Sequence, residues 1–214
     1  MSIQTFLDRA TFLTVDKRKV SAQTITRSGQ VKTAEVASAN PYRFAFGVTA
    51  GYTYSTNRAA LEELDALDIT EEEEIDIGAT NTNLSYLTAY QGDSSGIGSC
   101  TITGYSGNSL ILNCTNAGSG TFLFKKGDYI QPSGAYRYPY QVTADVAHTT
   151  SNPVTIPISR PFIEQSGYVV NGATFLVGTN VRWHVKMVNK PSYTVLPYDR
   201  FSLDNDIEVV EIIT

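Results

Sequence analysis

The residues able to support catalysis or metal binding are few and widely spaced in this chain. The two cysteines are Cys100 and Cys114, and the two histidines are His148 and His184. A zinc site requires Cys and His ligands at short, repeated spacings, which these four residues do not provide. An H-E-x-x-H motif and a P-loop are also absent from the sequence. We therefore expect no catalytic residue, no metal and no cofactor, and a protein that is not an enzyme.

Four consecutive glutamates lie just before a predicted strand. A catalytic carboxylate pair needs two acids that converge in a cleft and whose pKa values are pushed apart. A run of glutamates at a strand end is instead typical of a solvated rim. The predicted rim or lumen acids are Glu71, Glu72, Glu73 and Glu74.

The two cysteines lie symmetrically about Gly107 in CTITGYSGNSLILNC. A hairpin that turns at 106–108 would place them at facing positions on neighbouring strands, where a disulfide is sterically conceivable. A protein made and kept in a reducing cytoplasm retains free thiols. The sequence therefore predicts two reduced, half-buried cysteines.

Composition favours strands over helices. The chain has 214 residues with 13 Tyr and 9 Phe against 1 Trp and 2 Met, and aromatic residues are enriched in strands. Charged residues are 17% of the chain, below the roughly 25% usual in soluble domains. This favours a surface partly hidden in an assembly, and an ordinary Thr/Ser-rich β protein explains it equally well. The net charge of −5 argues against a general nucleic-acid binder, and no apolar run reaches the ~20 residues of a membrane helix.

The sequence pattern in the first part of the chain predicts several short strands and one helix. Strands are predicted at 12–15, 20–25, 31–36 and 42–48, with turns at 16–19 and 27–29. Alternation is clearest at 42–48, where aromatic and aliphatic side chains share one face. The helix follows: Ser55 or Thr56 can cap it. Its apolar stripe consists of Ala60, Leu61, Leu64 and Leu67.

A change of composition divides the chain into two predicted β domains. The small, polar segment QGDSSGIGS at 91–99 and the turn at 178–180 bound a Gly/Ser/Thr-rich middle section. We predict that 89–180 is a small OB-like barrel inserted into a domain formed by 1–88 and 181–214. The fold class is mainly β, and its count of short strands suits a small closed barrel.

The order of five segments resembles a known family. They are KKGDYIQ (125–131), YPYQVTADV (138–146), VTIPISRPF (154–162), FLVG (175–178) and VRWHV (181–185). This series is similar to tail proteins of long-tailed bacteriophages, especially distal tail proteins with an OB-like domain. The resemblance covers most of the chain from about Tyr42 onward.

The resemblance implies a structural virion protein of the phage tail, assembled in the host cytoplasm. Such proteins form a ring, typically of six copies, that joins the tail tube protein to hub or baseplate proteins. Genomic DNA passes through the lumen, and the ring contacts no membrane. The alternative is a carbohydrate-binding β module for host attachment, in which the exposed aromatic cluster would be Tyr136, Tyr138 and Tyr140.

Both chain ends are predicted to contact other subunits or adjacent tail proteins. The arm at 1–7 carries apolar side chains with no sequence-local partner, and the strand at 207–214 is largely apolar on both faces. A strand that is apolar on both faces must be covered twice. The candidate interface residues are Ile3, Phe6, Leu7, Trp183, Val210 and Ile212.

Overall fold

The structure is a computed structural model that describes residues 3–17, 21–25, 31–35, 40–48, 52–115, 122–147 and 152–213. For 21–25 and 31–35 it describes the backbone alone. The predicted turn at 27–29 and His148 lie outside these residues, as do Arg18 and Lys19 of the predicted turn at 16–19.

The described part of the chain is mainly β, as the sequence predicts. Its helices are α1 (Ile3–Leu7), α2 (Tyr54–Ala66), α3 (Ser85–Thr88) and α4 (Ser94–Ile97), with a 3₁₀ turn at Gly178–Asn180. Its strands are β1 (Phe12–Asp16), β2 (Ser21–Ile25), β3 (Val31–Glu35), β4 (Arg43–Gly47), β5 (Tyr52–Thr53), β6 (Glu73–Asp76), β7 (Cys100–Ser106), β8 (Ser109–Cys114), β9 (Phe122–Phe124), β10 (Tyr129–Pro132), β11 (Tyr140–Gln141), β12 (Val146–Ala147), β13 (Val154–Pro157), β14 (Phe175–Val177), β15 (Arg182–Asn189), β16 (Tyr193–Leu196), β17 (Arg200–Leu203) and β18 (Ile207–Glu211).

Within the described residues, five strands from both ends of the chain form one antiparallel sheet. Its order is β1-β4-β18-β15-β6. The inner face is strongly apolar because Phe44 and Phe46 of β4 alternate with the polar side of that strand, as the sequence predicts. Trp183 of β15 is fully buried at the centre, and its ring packs edge-on against Phe44 at 5.5 Å between centroids.

Helix α2 covers the inner face of this sheet with the predicted stripe. Ala60, Leu61 and Leu64 are buried. The predicted caps Ser55 and Thr56 are wrong, because the helix begins one residue earlier at Tyr54. The side chain that serves its first turn is Asp199, whose carboxylate accepts a hydrogen bond from the Ser55 amide at 2.8 Å.

The N-terminal arm is part of the protomer core, and here the sequence-based expectation is wrong. Ile3, Phe6 and Leu7 form the buried face of helix α1 and belong to the same core as Trp183. The Glu73 carboxylate accepts hydrogen bonds from the amides of Ile3 and Gln4 and so satisfies two free donors of the first turn. Side chains buried inside one protomer cannot meet a second copy, so the reason for placing these four apolar residues at an interface is removed.

The C-terminal strand is central in the sheet. Strand β18 pairs with β4 on one side and with β15 on the other, so it has no free backbone edge for a neighbouring subunit. One face is buried through Ile207 and Val209, and the other carries exposed Glu208 and half-buried Val210. Ile212, which follows β18, is also half-buried, and the placement of Val210 and Ile212 at an interface stays a prediction.

The middle of the chain forms small sheets joined edge to edge. One sheet has the order β13-β8-β7 and another β11-β10-β14. A bridge between Val142 and Ile158 joins β11 to β13. On the opposite side, the Ile102 amide donates to the Ala173 carbonyl, and the Gly172 amide donates to the Ile102 carbonyl. These contacts link the neighbouring small sheets, and the OB-like barrel stays a prediction.

The β7–β8 hairpin turns at Gly107, which has a φ of 54°. Its register places Cys100 opposite Cys114, and the two sulfurs are joined in a disulfide. The predicted hairpin is therefore confirmed, while the expectation of reduced thiols is not what the structure shows.

Two separate cores lie in the described residues. The first joins side chains from residues 3–84 and 181–209, together with Tyr129. The second joins side chains from residues 100–170. Strands β6 and β15 are neighbours in the large sheet, and the chain between them builds the second core. Independent folding of 89–180 stays a prediction.

None of the helices in the described part of the chain is long and apolar enough to cross a bilayer.

Replacement of Phe6 by Ala should strongly lower the free energy of unfolding of the protomer. A buried Phe removed from a core costs about 3–5 kcal/mol through lost burial and the cavity left behind. The matched control is Phe12→Ala, because Phe12 is 44% exposed on the sheet edge. Urea unfolding should show a large loss of unfolding free energy for Phe6→Ala and a small loss for Phe12→Ala. Equal, small losses in both variants would contradict the placement of helix α1 in the core.

Candidate functional site

The outer face of the five-stranded sheet is the main polar surface built by both ends of the chain. The strand registers place alternate side chains on this face. We call it the outer face; its members are Phe12, Thr14, Asp16, Arg43, Ala45, Glu74, Asp76, Arg182, His184, Lys186, Glu208 and Val210.

Opposite charges alternate across one half of the outer face. Arg182 forms a close ion pair with Asp76, and its Nε lies 3.8 Å from a Glu74 oxygen. His184 Nε2 lies 3.4 Å from the other Glu74 oxygen. Because these groups are partly solvated, each pair stabilises the fold only weakly. Their main effect is to leave this half of the face nearly neutral.

The acids of the 71–74 run have different environments. Glu71 is exposed, Glu73 accepts from the first amides of α1, and Glu74 is paired on the outer face. Glu72 lies 3.2 Å from Arg137 and 3.9 Å from Lys186. Three of the four glutamates therefore hold specific partners, and the run is more than a solvated rim. Whether any of them lines a lumen stays a prediction.

A shallow groove of about 230 Å³ opens at the other half of the outer face. Its floor is formed by β4 and β18, and its walls by β1 and the end of β15. The groove is lined at the surface by Thr14, Asp16, Arg43, Ala45, Val188 and Glu208. Charged groups of both signs lie at this groove, namely the carboxylates of Asp16 and Glu208 and the guanidinium of Arg43.

A buried ion pair joins the two cores. Arg160 comes from the segment after β13, and Glu211 ends β18. Both terminal guanidinium nitrogens, Nη1 and Nη2, donate to the Glu211 carboxylate at 2.6 Å, and both side chains are almost fully buried. Arg160 also donates to the carbonyls of Asn40 and Pro139 at 3.0 and 2.8 Å. The pair thus ties the N-terminal segment, the middle section and the last strand at one point.

The geometry explains how two charges are tolerated inside the protein. Removing each ion from water costs several kcal/mol, and only a fork-shaped pair with further hydrogen bonds offsets that cost. Glu211 accepts a further bond from the Tyr42 amide at 2.9 Å, and the Tyr42 ring lies 4.8 Å from the guanidinium carbon. Burial alone would lower the pKa of Arg160, but the hydrogen bonds and charge of Glu211 raise it overall.

Sequence reasoning missed this pair, although one signal was present. Glu211 shares the period-2 face of Ile207 and Val209, which is the buried face of β18. A carboxylate on an apolar face requires a buried cation. No sequence pattern indicates which of the chain's basic residues supplies it, because Arg160 is 51 residues away.

The tyrosine cluster proposed for glycan stacking is inside the second core. Tyr136, Tyr138 and Tyr140 are all buried, and the hydroxyls of Tyr136 and Tyr140 hydrogen-bond each other at 2.5 Å. Burial raises the pKa of Tyr140 to about 12. These rings offer no exposed platform for a sugar, so the residues chosen for the carbohydrate-binding alternative do not support it.

The sequence-based exclusion of an enzyme overlooked a G-x-S-x-G match at 92–96. In the hydrolase motif the serine lies on a sharp turn between a strand and a helix. Here Ser94 begins α4, a helix of four residues that follows a loop. Asp93 accepts hydrogen bonds from the amide and hydroxyl of Ser95. The segment is a capped turn, and its context is not that of a nucleophile.

A hairpin formed by β16 and β17 projects beside helix α2. Within the described residues its sheet has the order β16-β17-β5, so β16 is an edge strand. Tyr198 and Asp199 at its tip have φ values of 63° and 57°, which cost a non-glycine residue roughly 1–3 kcal/mol each. The Tyr54 amide donates to the Asp199 carbonyl at 2.8 Å, and this bond with the Ser55 contacts holds the tip in place.

Among the described residues, no group of three or more His, Cys, Asp or Glu side chains is arranged to hold a metal ion. Comparison with protein-family models and with curated proteins finds no match to this chain.

Replacement of Arg160 by Met should destabilise the protein by about 3–5 kcal/mol, because it leaves the Glu211 carboxylate buried and unpaired. The double variant Arg160→Met/Glu211→Leu should recover part of this loss. Urea midpoints and slopes measure both effects. The control is Arg58→Ala, which breaks an exposed pair with Glu62 on α2 and should leave the midpoint nearly unchanged. A loss for Arg160→Met no larger than for the control would contradict the proposed role of the pair.

Stability should fall in mild acid through His184. Burial lowers the pKa of His184, an effect opposed by Glu74 and Glu72 and reinforced by Arg137. The unfolded chain therefore binds this proton at higher pH than the folded protein. The contribution of neutral His184 to the free energy of unfolding is complete above about pH 6.5. It is lost as the pH falls through the lower pKa that His184 has in the folded protein. In His184→Gln the decline in unfolding free energy between about pH 7 and 5 should be smaller. An identical decline in both proteins would contradict this assignment.

Proposed function

We propose that the protein is a structural protein of the virion of a long-tailed bacteriophage. It forms a ring at the distal end of the tail, joins the tail tube to the hub or baseplate, and leaves a lumen for DNA. Its partners are further copies of itself, typically six, the tail tube protein and the hub or baseplate proteins. The role needs no catalysis, no cofactor and no membrane.

The observation that carries this proposal is the order of the strands in the large sheet. Neighbouring strands β6 and β15 of the large sheet are separated in sequence by the entire middle section. The five segments that resemble distal tail proteins fall on β10, on β11 and β12, on β13, on β14 and on β15 in that order. Four of the five segments therefore lie in the middle section, and the fifth lies on β15 of the large sheet.

The surface chemistry also favours an assembly role. Several large apolar side chains are exposed on strands and turns, among them Val188, Val195 and Tyr198. Exposed apolar side chains that lie together can mark a protein contact, and Val195 and Tyr198 lie on the same hairpin. The charged half of the outer face is nearly neutralised by its own ion pairs, as expected for a surface that must not hold DNA phosphates by charge.

The mass of the purified full chain in solution tests the proposal. Light scattering across a range of concentrations should give one fixed mass, equal to a whole-number multiple of the protomer mass. Electron microscopy should show rings. A mass equal to one protomer at every concentration would contradict the ring. A single protomer that gains thermal stability with a glycan would instead support the carbohydrate-binding module.

A further inference from the structure

The β16–β17 hairpin presents apolar side chains that its own protomer leaves uncovered. Tyr198 at the tip is 94% exposed, and Val195 on the edge strand is 53% exposed. Leu196 is also exposed, and Arg200 follows the tip on β17. An exposed tyrosine beside aliphatic and arginine side chains is the usual composition of a binding hot spot.

The tip is held against helix α2 and strand β5 by several contacts. Asp199 is fixed to the first turn of α2 through the Ser55 amide and hydroxyl. Strand β17 is further paired with β5 through Arg200 and Phe201, and Phe201 is buried in the first core. A side chain carried by a fixed turn loses little further conformational freedom when it binds. The strained backbone at Tyr198 is thus maintained by contacts that do not involve the Tyr198 ring.

The groove on the outer face is complementary to this tip. Ala45 and the exposed Val188 supply apolar lining, and the Glu208 carboxylate lies at its surface. An aromatic ring can pack on this apolar lining, and a phenol hydroxyl or a guanidinium can donate a hydrogen bond to the Glu208 carboxylate. The groove lining contains no residue of the hairpin, so the two surfaces do not meet within one protomer.

We propose that the hairpin tip of one copy of this chain docks into the outer-face groove of the next copy, with Tyr198 on Ala45 and Val188 and Arg200 against Glu208. The occupant is a second copy because one chain carries both the projecting and the receding surface. Such a contact is heterologous: each copy offers its tip to one neighbour and its groove to another. Repeated contacts of this kind close into a ring when the rotation permits. The inference rests on the ring proposed above and names the surfaces that build it.

Two single variants and their mixture test this contact. Tyr198→Ser removes the aromatic ring from the tip, and Val188→Arg fills the groove with a long charged side chain. Both positions are exposed, so neither change should affect folding as measured by thermal melting. Loss of a hot-spot tyrosine weakens each contact roughly 30-fold, which is about 2 kcal/mol. Each variant alone should therefore be a protomer under conditions in which the wild-type chain is a ring. Tyr86→Ser is the matched control, because Tyr86 is 69% exposed on α3 and should leave the ring intact.

The mixture shows whether the contact is heterologous. An equimolar mixture of Tyr198→Ser and Val188→Arg contains one intact tip and one intact groove, so it should give dimers and nothing larger. Rings formed by either variant alone, or a mixture that stays entirely protomeric, would overturn the docking proposal while leaving the ring function in place. Intact variant rings that no longer enter tails would assign the hairpin to a neighbouring tail protein. A wild-type chain that never assembles would overturn the ring function and this contact together.

Discussion

The buried pair between Arg160 and Glu211 is the interaction on which the arrangement of this protein depends. It connects the second core to the centre of the large sheet through charge-assisted hydrogen bonds of 2.6 Å. Tyr129 adds an apolar link, since it belongs to the middle section but packs edge-on against Trp183 at 5.6 Å between centroids. A buried ion pair adds little net stability relative to well-packed apolar side chains, but removal of one partner is strongly destabilising. Here it fixes the inserted unit against β18, the central strand of the large sheet.

The sequence predicts those features that depend on local periodicity. The strand at 42–48, the stripe of α2 and the β7–β8 hairpin around Gly107 all follow from side-chain alternation and turn chemistry. The arm at 1–7 was misjudged because its partners, Glu73 and the sheet core, lie about 70 residues away in sequence. The terminal strand was misjudged for a related reason: whether a strand is central or at an edge depends on which distant strands flank it.

The surfaces relevant to function depend even more on long-range contacts. Trp183, Tyr136 and Tyr140 are residue types typical of interfaces, yet burial removes them from any surface. Tyr198 has the same chemistry and is almost fully exposed, because Asp199 holds the tip on helix α2. No periodicity distinguishes these tyrosines. The structure separates them by showing which rings already have partners inside the protomer.

These observations describe a β protein in which a buried ion pair joins the middle section to the large sheet. A hairpin held on helix α2 carries some of its exposed apolar side chains. The role proposed for it is to provide contacts within a ring at the end of a phage tail. The most direct measurement is electron microscopy of tailed virions labelled with an antibody against this protein. The account predicts label confined to the distal end of the tail, where tube and baseplate meet. Label on the capsid, along the whole tube, or on no tailed particle would contradict it.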